Sequence, residues 1–189
     1  MATAHLALAA DIDELRKQFE RLSATADALT APLTDEQFVW QPPQNHWSVA
    51  QCIEHLNAYA RQYLPRLDDA IADAISRGLY AEGPFKYNGL GRLLVRLNEP
   101  PPLIRFTSQA KYRPGLPRSR QEILAAFRAY QVQYIDRLHQ ANGLDLARAR
   151  VSAPTAPWVR LPLGSGFLLM AAHERRHLHQ AERVVALAP

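Results

Sequence analysis

Two histidines near the C-terminus, His173 and His177, have a spacing that suits metal binding. Residues four apart on an α-helix lie one above the other on the same face, so their imidazoles can share one metal ion. Several residues, most of them apolar, fall on the same helical face as this pair: Gly166, Leu169, Met170, Gln180, Val184 and Leu187. The pair is therefore predicted to point toward a core and to form half of a metal site.

The histidine pair has two other interpretations. A histidine on an apolar face is often a core residue that makes one hydrogen bond. Residues 173–177 also fit the His-Glu-x-x-His pattern of metalloproteases, in which the glutamate is the general base. That match is interpreted as accidental, because the residues after His179 include no histidine or aspartate to serve as the usual downstream ligand. The core role stays open until a third ligand is identified.

The third ligand is expected from a facing helix. His55 is the favoured residue, because it lies about two turns into a long predicted helix, next to the apolar arc that contains Tyr59. The alternative is a histidine at the edge of the core, bonded to Tyr59 or to a backbone carbonyl. The other histidines lie near predicted helix ends or off the apolar face: His5, His46, His139 and His179.

Four long amphipathic segments are predicted to be the helices that position these residues. They cover residues 8–29, 48–77, 119–142 and the stretch from 164 onward. Capping boxes at Thr34, Ser48 and Ser119 mark helix starts. Residues 79–117 are rich in proline and glycine and are predicted to be irregular, with a short helix around 90–97. With no convincing alternating strand, the pattern predicts an all-α four-helix bundle with a long connection between helices 2 and 3.

Length and composition indicate one soluble globular domain, residues 1–189. Of these residues, 48% are hydrophobic and 21% are charged. The single Cys52 excludes an intramolecular disulfide, and the N-terminus lacks the basic region of a secretion signal. No apolar run is long enough to span a bilayer. A cytoplasmic protein without a membrane partner is expected.

Charge is distributed unevenly along the chain. The net charge of +4 is made of −5 over residues 1–80, +6 over 81–128 and +3 over 129–189. Nucleic acid binding is not favoured, because the basic residues follow a proline-containing connection without interleaved stacking aromatics or a recognition helix. A solvated surface or an entrance that attracts an anionic small molecule is the preferred interpretation of these residues: Arg92, Arg96, Arg105, Lys111, Arg113, Arg118 and Arg120.

Two segments carry a resemblance to a known family. Residues 47–56 (WSVAQCIEHL) resemble the second-helix signature of the DinB-like superfamily, and residues 163–180 (LGSGFLLMAAHERRHLHQ) resemble its last-helix signature. Residues 33–42 also fit, whereas 80–118 match weakly. The resemblance implies a four-helix bundle of DinB/YfiT-like up-down-down-up topology. It also implies a divalent metal held by one histidine of the second helix and two of the fourth, which here are His55, His173 and His177.

The resemblance constrains the activity only loosely. Relatives include S-transferases that use low-molecular-weight bacterial thiols such as mycothiol or bacillithiol, and others are described as metal-dependent hydrolases or DNA-damage-inducible proteins. Three neutral imidazoles leave an open coordination position, as in catalytic sites, and they suit zinc, nickel or iron. The first hypothesis is therefore transfer of a low-molecular-weight thiol cosubstrate to an electrophilic small molecule.

Two alternatives remain at this point. One is a metal-dependent hydrolase that uses the same pocket, and the other is a non-catalytic bundle that binds metal or small molecules, with a possible homodimer through the first helix. Three residues are candidates for supporting the ligands. Tyr59 lies one helical turn after His55, Gln180 one turn after His177, and Glu174 directly after His173. Packing or a solvated face is the competing explanation for each, and Glu174 lies about 100° from the ligand stripe.

Overall fold

The computed structural model describes residues 8–43, 46–101, 112 and 118–189. Within these residues lie six helices: α1 (Ala10–Thr30), α2 (Asp35–Val39), α3 (Val49–Ser76), α4 (Gly89–Asn98), α5 (Arg120–Gln140) and α6 (Leu163–Val185). The four long ones are α1, α3, α5 and α6, which confirms the predicted all-α bundle. The short helix in the connection is confirmed as α4.

Capping side chains fix where the helices begin. Thr34, Ser48 and Ser119 each accept a hydrogen bond from the backbone N–H three residues later, and the side chain of that later residue accepts one from the cap in return. Helices α2, α3 and α5 therefore begin where the sequence predicts. After α3 and α5, Gly78 and Gly143 take positive φ angles of 61° and 86°, which other residues rarely adopt.

In chain order, the four long helices run up, down, down and up. Helices α1 and α3 each pack against both α5 and α6. Arg120, at the start of α5, donates to the carbonyl of Leu33 just after α1, so α1 and α5 run in opposite directions. The Asn57 side chain, early in α3, donates to the carbonyl of Ile123, early in α5, so these two helices are parallel. Gln37 donates to the carbonyl of Pro189, which brings the end of α6 close to the end of α1.

The core is formed by the apolar faces of the four long helices. Large side chains that are almost fully buried come from all four, and they include Phe19, Tyr63, Phe127, Tyr134 and Phe167. The rings of Phe19 and Tyr134 stack with their centroids 4.8 Å apart, joining α1 to α5. Leu187, which the sequence assigned to the histidine face, lies beyond the end of α6 and is 67% exposed.

A small sheet in the last connection was not predicted. Strands β1 (Arg150–Ser152) and β2 (Arg160–Pro162) pair antiparallel, with Val151 opposite Leu161. The sequence shows no alternating pattern here, because three-residue strands are too short to produce one. Both central residues are buried, so the hairpin adds to the core beside α3 and α6.

Hydropathy gives no sign of a membrane-crossing helix in the described part of the chain. The extent of the domain, residues 1–189, stays a prediction. Three of the basic residues of the middle region, Arg105, Lys111 and Arg113, lie outside the described residues, as does His5.

Helix α4 lies directly on the first turns of α6. A Cβ added to Gly91 would lie 2.8 Å from the Cβ of Ser165 and 3.1 Å from the Oδ1 of Asn88. Only glycine therefore permits this close approach of the two helices. Gly89, two positions earlier in the same helix turn, has no atom within 4 Å of such a Cβ.

Gly91→Ala is expected to lower the free energy of unfolding by about 1–3 kcal/mol, because the added methyl group must push α4 away from α6. Gly89→Ala is the matched control, and it should be neutral or stabilising by up to about 1 kcal/mol through helix propensity. Urea unfolding monitored by circular dichroism measures both. Equal effects of the two substitutions would contradict the close packing of α4 on α6.

Candidate metal centre

Three histidines from two facing helices meet at one point of the bundle. His55 lies on α3, and His173 and His177 lie on α6. Each histidine offers one ring nitrogen, and these three nitrogens all lie within 4.8 Å of one another. The ring centroids of His55 and His177 are 4.4 Å apart, and those of His173 and His177 are 4.6 Å apart. The structure thus brings together the three residues that the sequence selected.

Burial keeps these imidazoles neutral. His55 is 2% exposed, and His173 and His177 are each 9% exposed. Loss of hydration lowers the pKa of His55 to about 4 and that of His177 to about 3, and it holds the pKa of His173 well below its usual value. Neutral imidazole is the form that binds a metal, so no proton has to be displaced at neutral pH.

The Nδ1 atom of every one of the three rings faces a hydrogen-bond acceptor. The Nδ1 of His55 lies 2.5 Å from the carbonyl oxygen of Tyr112, and that of His177 lies 3.1 Å from the Oε1 of Gln180. The third, on His173, lies 3.4 Å from the Oδ1 of Asn98. An acceptor at Nδ1 fixes the tautomer with the proton there, so each Nε2 carries a free lone pair. This is the arrangement that orients histidines toward a metal.

A metal ion fits this group of residues. The Nε2 of His173 is buried and has no hydrogen-bond partner, although a buried nitrogen without a partner is unfavourable. A cation among the three rings would give that lone pair a partner. Three nitrogen ligands from the protein would leave a further coordination position free on such an ion, as in catalytic rather than structural sites.

Aromatic side chains enclose the three histidines. Trp47, just before α3, lies 4.8 Å from the His55 ring and 5.8 Å from the His177 ring, measured between centroids. Tyr59 lies 4.2 Å from the His173 ring and stacks on Tyr112 at 4.0 Å. These rings limit the access of water to the site, which strengthens electrostatic interactions within it.

Comparison with known proteins agrees with this arrangement. The family model described as the DinB superfamily matches residues 18–181, which include α3, most of α6 and all three histidines. The chain belongs to the DinB superfamily. No curated protein and no solved structure gives a match to it.

The three candidate supporting residues of this DinB-superfamily protein have different surroundings. Gln180 bonds to His177, and Tyr59 lies against His55 and His173. Glu174 instead points toward α5, where it accepts a hydrogen bond from Gln131 at 3.2 Å, and burial raises its pKa to about 8. None of its hydrogen bonds within the described residues joins it to the histidines. The contact that the structure shows for Glu174 thus joins α6 to α5, and a supporting role at the histidines stays a prediction.

Sequence reasoning missed three neighbours of the histidines: Trp47, Asn98 and the Tyr112 carbonyl. The sequence gives no signal for Asn98 or Tyr112, because both are far from the histidines along the chain and meet them only through tertiary packing. Trp47 could have been found, since an apolar residue just before an N-cap commonly packs back onto the first turns of its helix. The remaining described histidines, His46, His139 and His179, lie outside the cluster, with His46 and His139 exposed.

Metal content tests the three-histidine group directly. Untagged wild-type protein is expected to contain about one transition-metal ion per chain, and His55→Ala and His177→Ala should each lose it. His179→Ala is the matched control, because it removes an imidazole from the same helix outside the cluster. Elemental analysis by mass spectrometry gives the stoichiometry. Metal that survives in both cluster variants would refute the site.

The acceptors of the Nδ1 protons are expected to strengthen metal binding without being ligands. Asn98→Ala and Gln180→Ala should each weaken it by about 10- to 100-fold, because each leaves one imidazole free to rotate and change tautomer. Gln140→Ala, at the exposed end of α5, is the control. Competition with a chromophoric chelator measures the affinity. Unchanged affinity in both test variants would exclude this orienting role.

Proposed function

We propose that the protein is a metal-dependent enzyme that transfers a low-molecular-weight thiol to an electrophilic small molecule at the three-histidine site. The observation that carries the proposal is the orientation of three neutral, buried imidazoles, each with its Nδ1 proton directed at an acceptor. Such ligands leave a bound ion its full charge. A divalent ion lowers the pKa of a thiol or water that reaches it and thereby supplies a nucleophile at neutral pH.

Thiol transfer is preferred over hydrolysis because the described surroundings of the histidines offer no carboxylate as a general base. Two carboxylates are next to a ligand in the sequence, and both are engaged elsewhere. Glu174 accepts from Gln131 on the α5 side, and Glu54 accepts from Asn57 and is paired with Arg118. A thiol, with a pKa near 8.5, loses its proton far more readily than water, whose pKa is about 15.7. A thiol therefore needs a much smaller lowering of its pKa by the ion than water does, which favours the thiol at a site without its own base.

The chain's residues would act mainly by binding and positioning. His55, His173 and His177 would hold the ion, and Asn98, Gln180 and the Tyr112 carbonyl would orient them. Trp47 and Tyr59 limit water and offer apolar surface to the electrophile. In the transfer, the thiol proton passes to solvent, sulfur bonds to the electrophilic carbon, and the leaving group departs with the electron pair of the broken bond.

The metal and the compartment follow from the same chemistry. Imidazole ligands suit zinc, nickel or iron(II), and we include all three in the proposal. We place the reaction in the cytoplasm, where small thiols remain reduced.

The test is a thiol-consumption assay with protein loaded separately with zinc, nickel or iron. Mycothiol, bacillithiol, cysteine and glutathione are offered with monochlorobimane as the electrophile. Conjugate formation is expected to exceed the uncatalysed rate with at least one thiol, and to fall to that rate in His55→Ala and His177→Ala. The control variant His179→Ala should retain activity, because its imidazole lies outside the cluster.

Two results would replace the proposal by its alternatives. Metal-dependent cleavage of p-nitrophenyl acetate without any thiol, together with no conjugate formation, would assign the site to hydrolysis. Bound metal that raises the melting temperature, without turnover in either assay, would indicate a non-catalytic metal-binding bundle.

A further inference from the structure

A pocket that none of the three histidines lines lies between α4 and the start of α6. Its volume is about 300 Å³ and it opens to solvent. This volume is at the lower end of the range for small-molecule sites. The lining combines apolar surface with two arginines one helical turn apart: Tyr87, Gly91, Arg92, Val95, Arg96, Glu99, Ser165 and Leu168. None of these residues belongs to the three-histidine group.

The two arginines of this cleft are exposed and have no ion-pair partner among the residues that the structure describes. Arg92 and Arg96 are four residues apart on α4 and therefore project from the same face, where like charges repel each other. Neither guanidinium has a hydrogen bond or an ion pair with any part of the chain that the structure describes. By contrast, the nearby Arg175 is paired with Glu99. An anion bound between Arg92 and Arg96 would relieve their repulsion and supply charge-assisted hydrogen bonds.

The remaining charges at the cleft leave it positive. Glu99 is its one described acidic lining residue, and its carboxylate accepts from the Nε of Arg175 at 2.9 Å. Ser165 is the third residue of α6, so the cleft also adjoins the positive end of a 23-residue helix. Both contributions favour a negatively charged ligand over a neutral one.

The floor of the cleft offers an additional polar group. Ser165 is 1% exposed, and its Oγ has no hydrogen-bond partner within the described residues. A buried hydroxyl without a partner is unfavourable, and a polar atom of a ligand at the floor would satisfy it. Val95, Leu168 and the ring of Tyr87 provide apolar surface around this hydroxyl.

From these features we infer that the α4–α6 cleft binds a small amphipathic anion, with its carboxylate or phosphate head at Arg92 and Arg96 and its apolar body against Val95 and Leu168. This site is separate from the three histidines, since Ser165 precedes His173 by eight residues, or about 12 Å of helix. It does not rest on the function proposed above.

Isothermal titration with octanoate tests the inference, and octyl phosphate and 1-octanol are titrated in parallel. Octanoate or octyl phosphate is expected to bind saturably with about one molecule per chain. Arg92→Gln and Arg96→Gln should each weaken binding about tenfold or more, because each removes a charged hydrogen-bond donor. Octanol should bind more weakly than either anion. Arg148→Gln, which removes an exposed arginine elsewhere, is the control and should leave binding unchanged.

The same titration is repeated on His55→Ala, because a carboxylate could also bind a metal at the histidines. Retained binding in this variant, together with the losses at Arg92 and Arg96, supports the cleft. The inference is overturned if neither anion binds saturably to the wild type, or if octanol binds as tightly as the anions. It is also overturned if both arginine variants bind the anions as tightly as the wild type does, or if His55→Ala no longer binds them.

Discussion

The rest of the structure depends on one constraint. Three histidine side chains are buried next to one another, and each directs its Nδ1 proton at an acceptor. Burying polar rings is costly unless they are hydrogen-bonded, and here the acceptors come from three different parts of the chain. They are the carbonyl of Tyr112 in the long connection, Asn98 at the end of α4, and Gln180 on α6. The site therefore requires the connection to be docked, and not only α3 and α6 to be adjacent.

The neighbouring contacts hold that connection against the bundle. Tyr112 stacks on Tyr59, and its hydroxyl donates to the carbonyl of Pro154 at 2.6 Å. Arg118, where the described chain resumes, is paired with Glu54, the residue just before His55 on α3. Hydrogen bonds to charged groups contribute about 1.5–3 kcal/mol each when buried, so a partly exposed pair such as Arg118–Glu54 contributes less. Several such contacts together keep the Tyr112 carbonyl at the His55 ring.

The sequence predicts local features of this protein better than contacts between distant segments. Helix starts at Thr34, Ser48 and Ser119 could be predicted because a capping box is complete within four residues. The grouping of His173 with His177 follows from helical periodicity, and His55 follows from its depth in a long helix. Asn98 and the Tyr112 carbonyl could not be predicted, because they reach the histidines through packing between distant segments. Metal binding itself stays a prediction until the ion is measured.

The four described arginines of the basic middle region fall into two pairs, one with partners in the described fold and one without. Arg118 and Arg120 are held by Glu54 and by carbonyl groups at the end of α1, so their charges are engaged within the fold. Arg92 and Arg96 on α4 have no such partners in the described ranges of the chain. Within the described chain, α4 is thus the element that orients His173 and also carries the unpaired positive charge able to select a ligand.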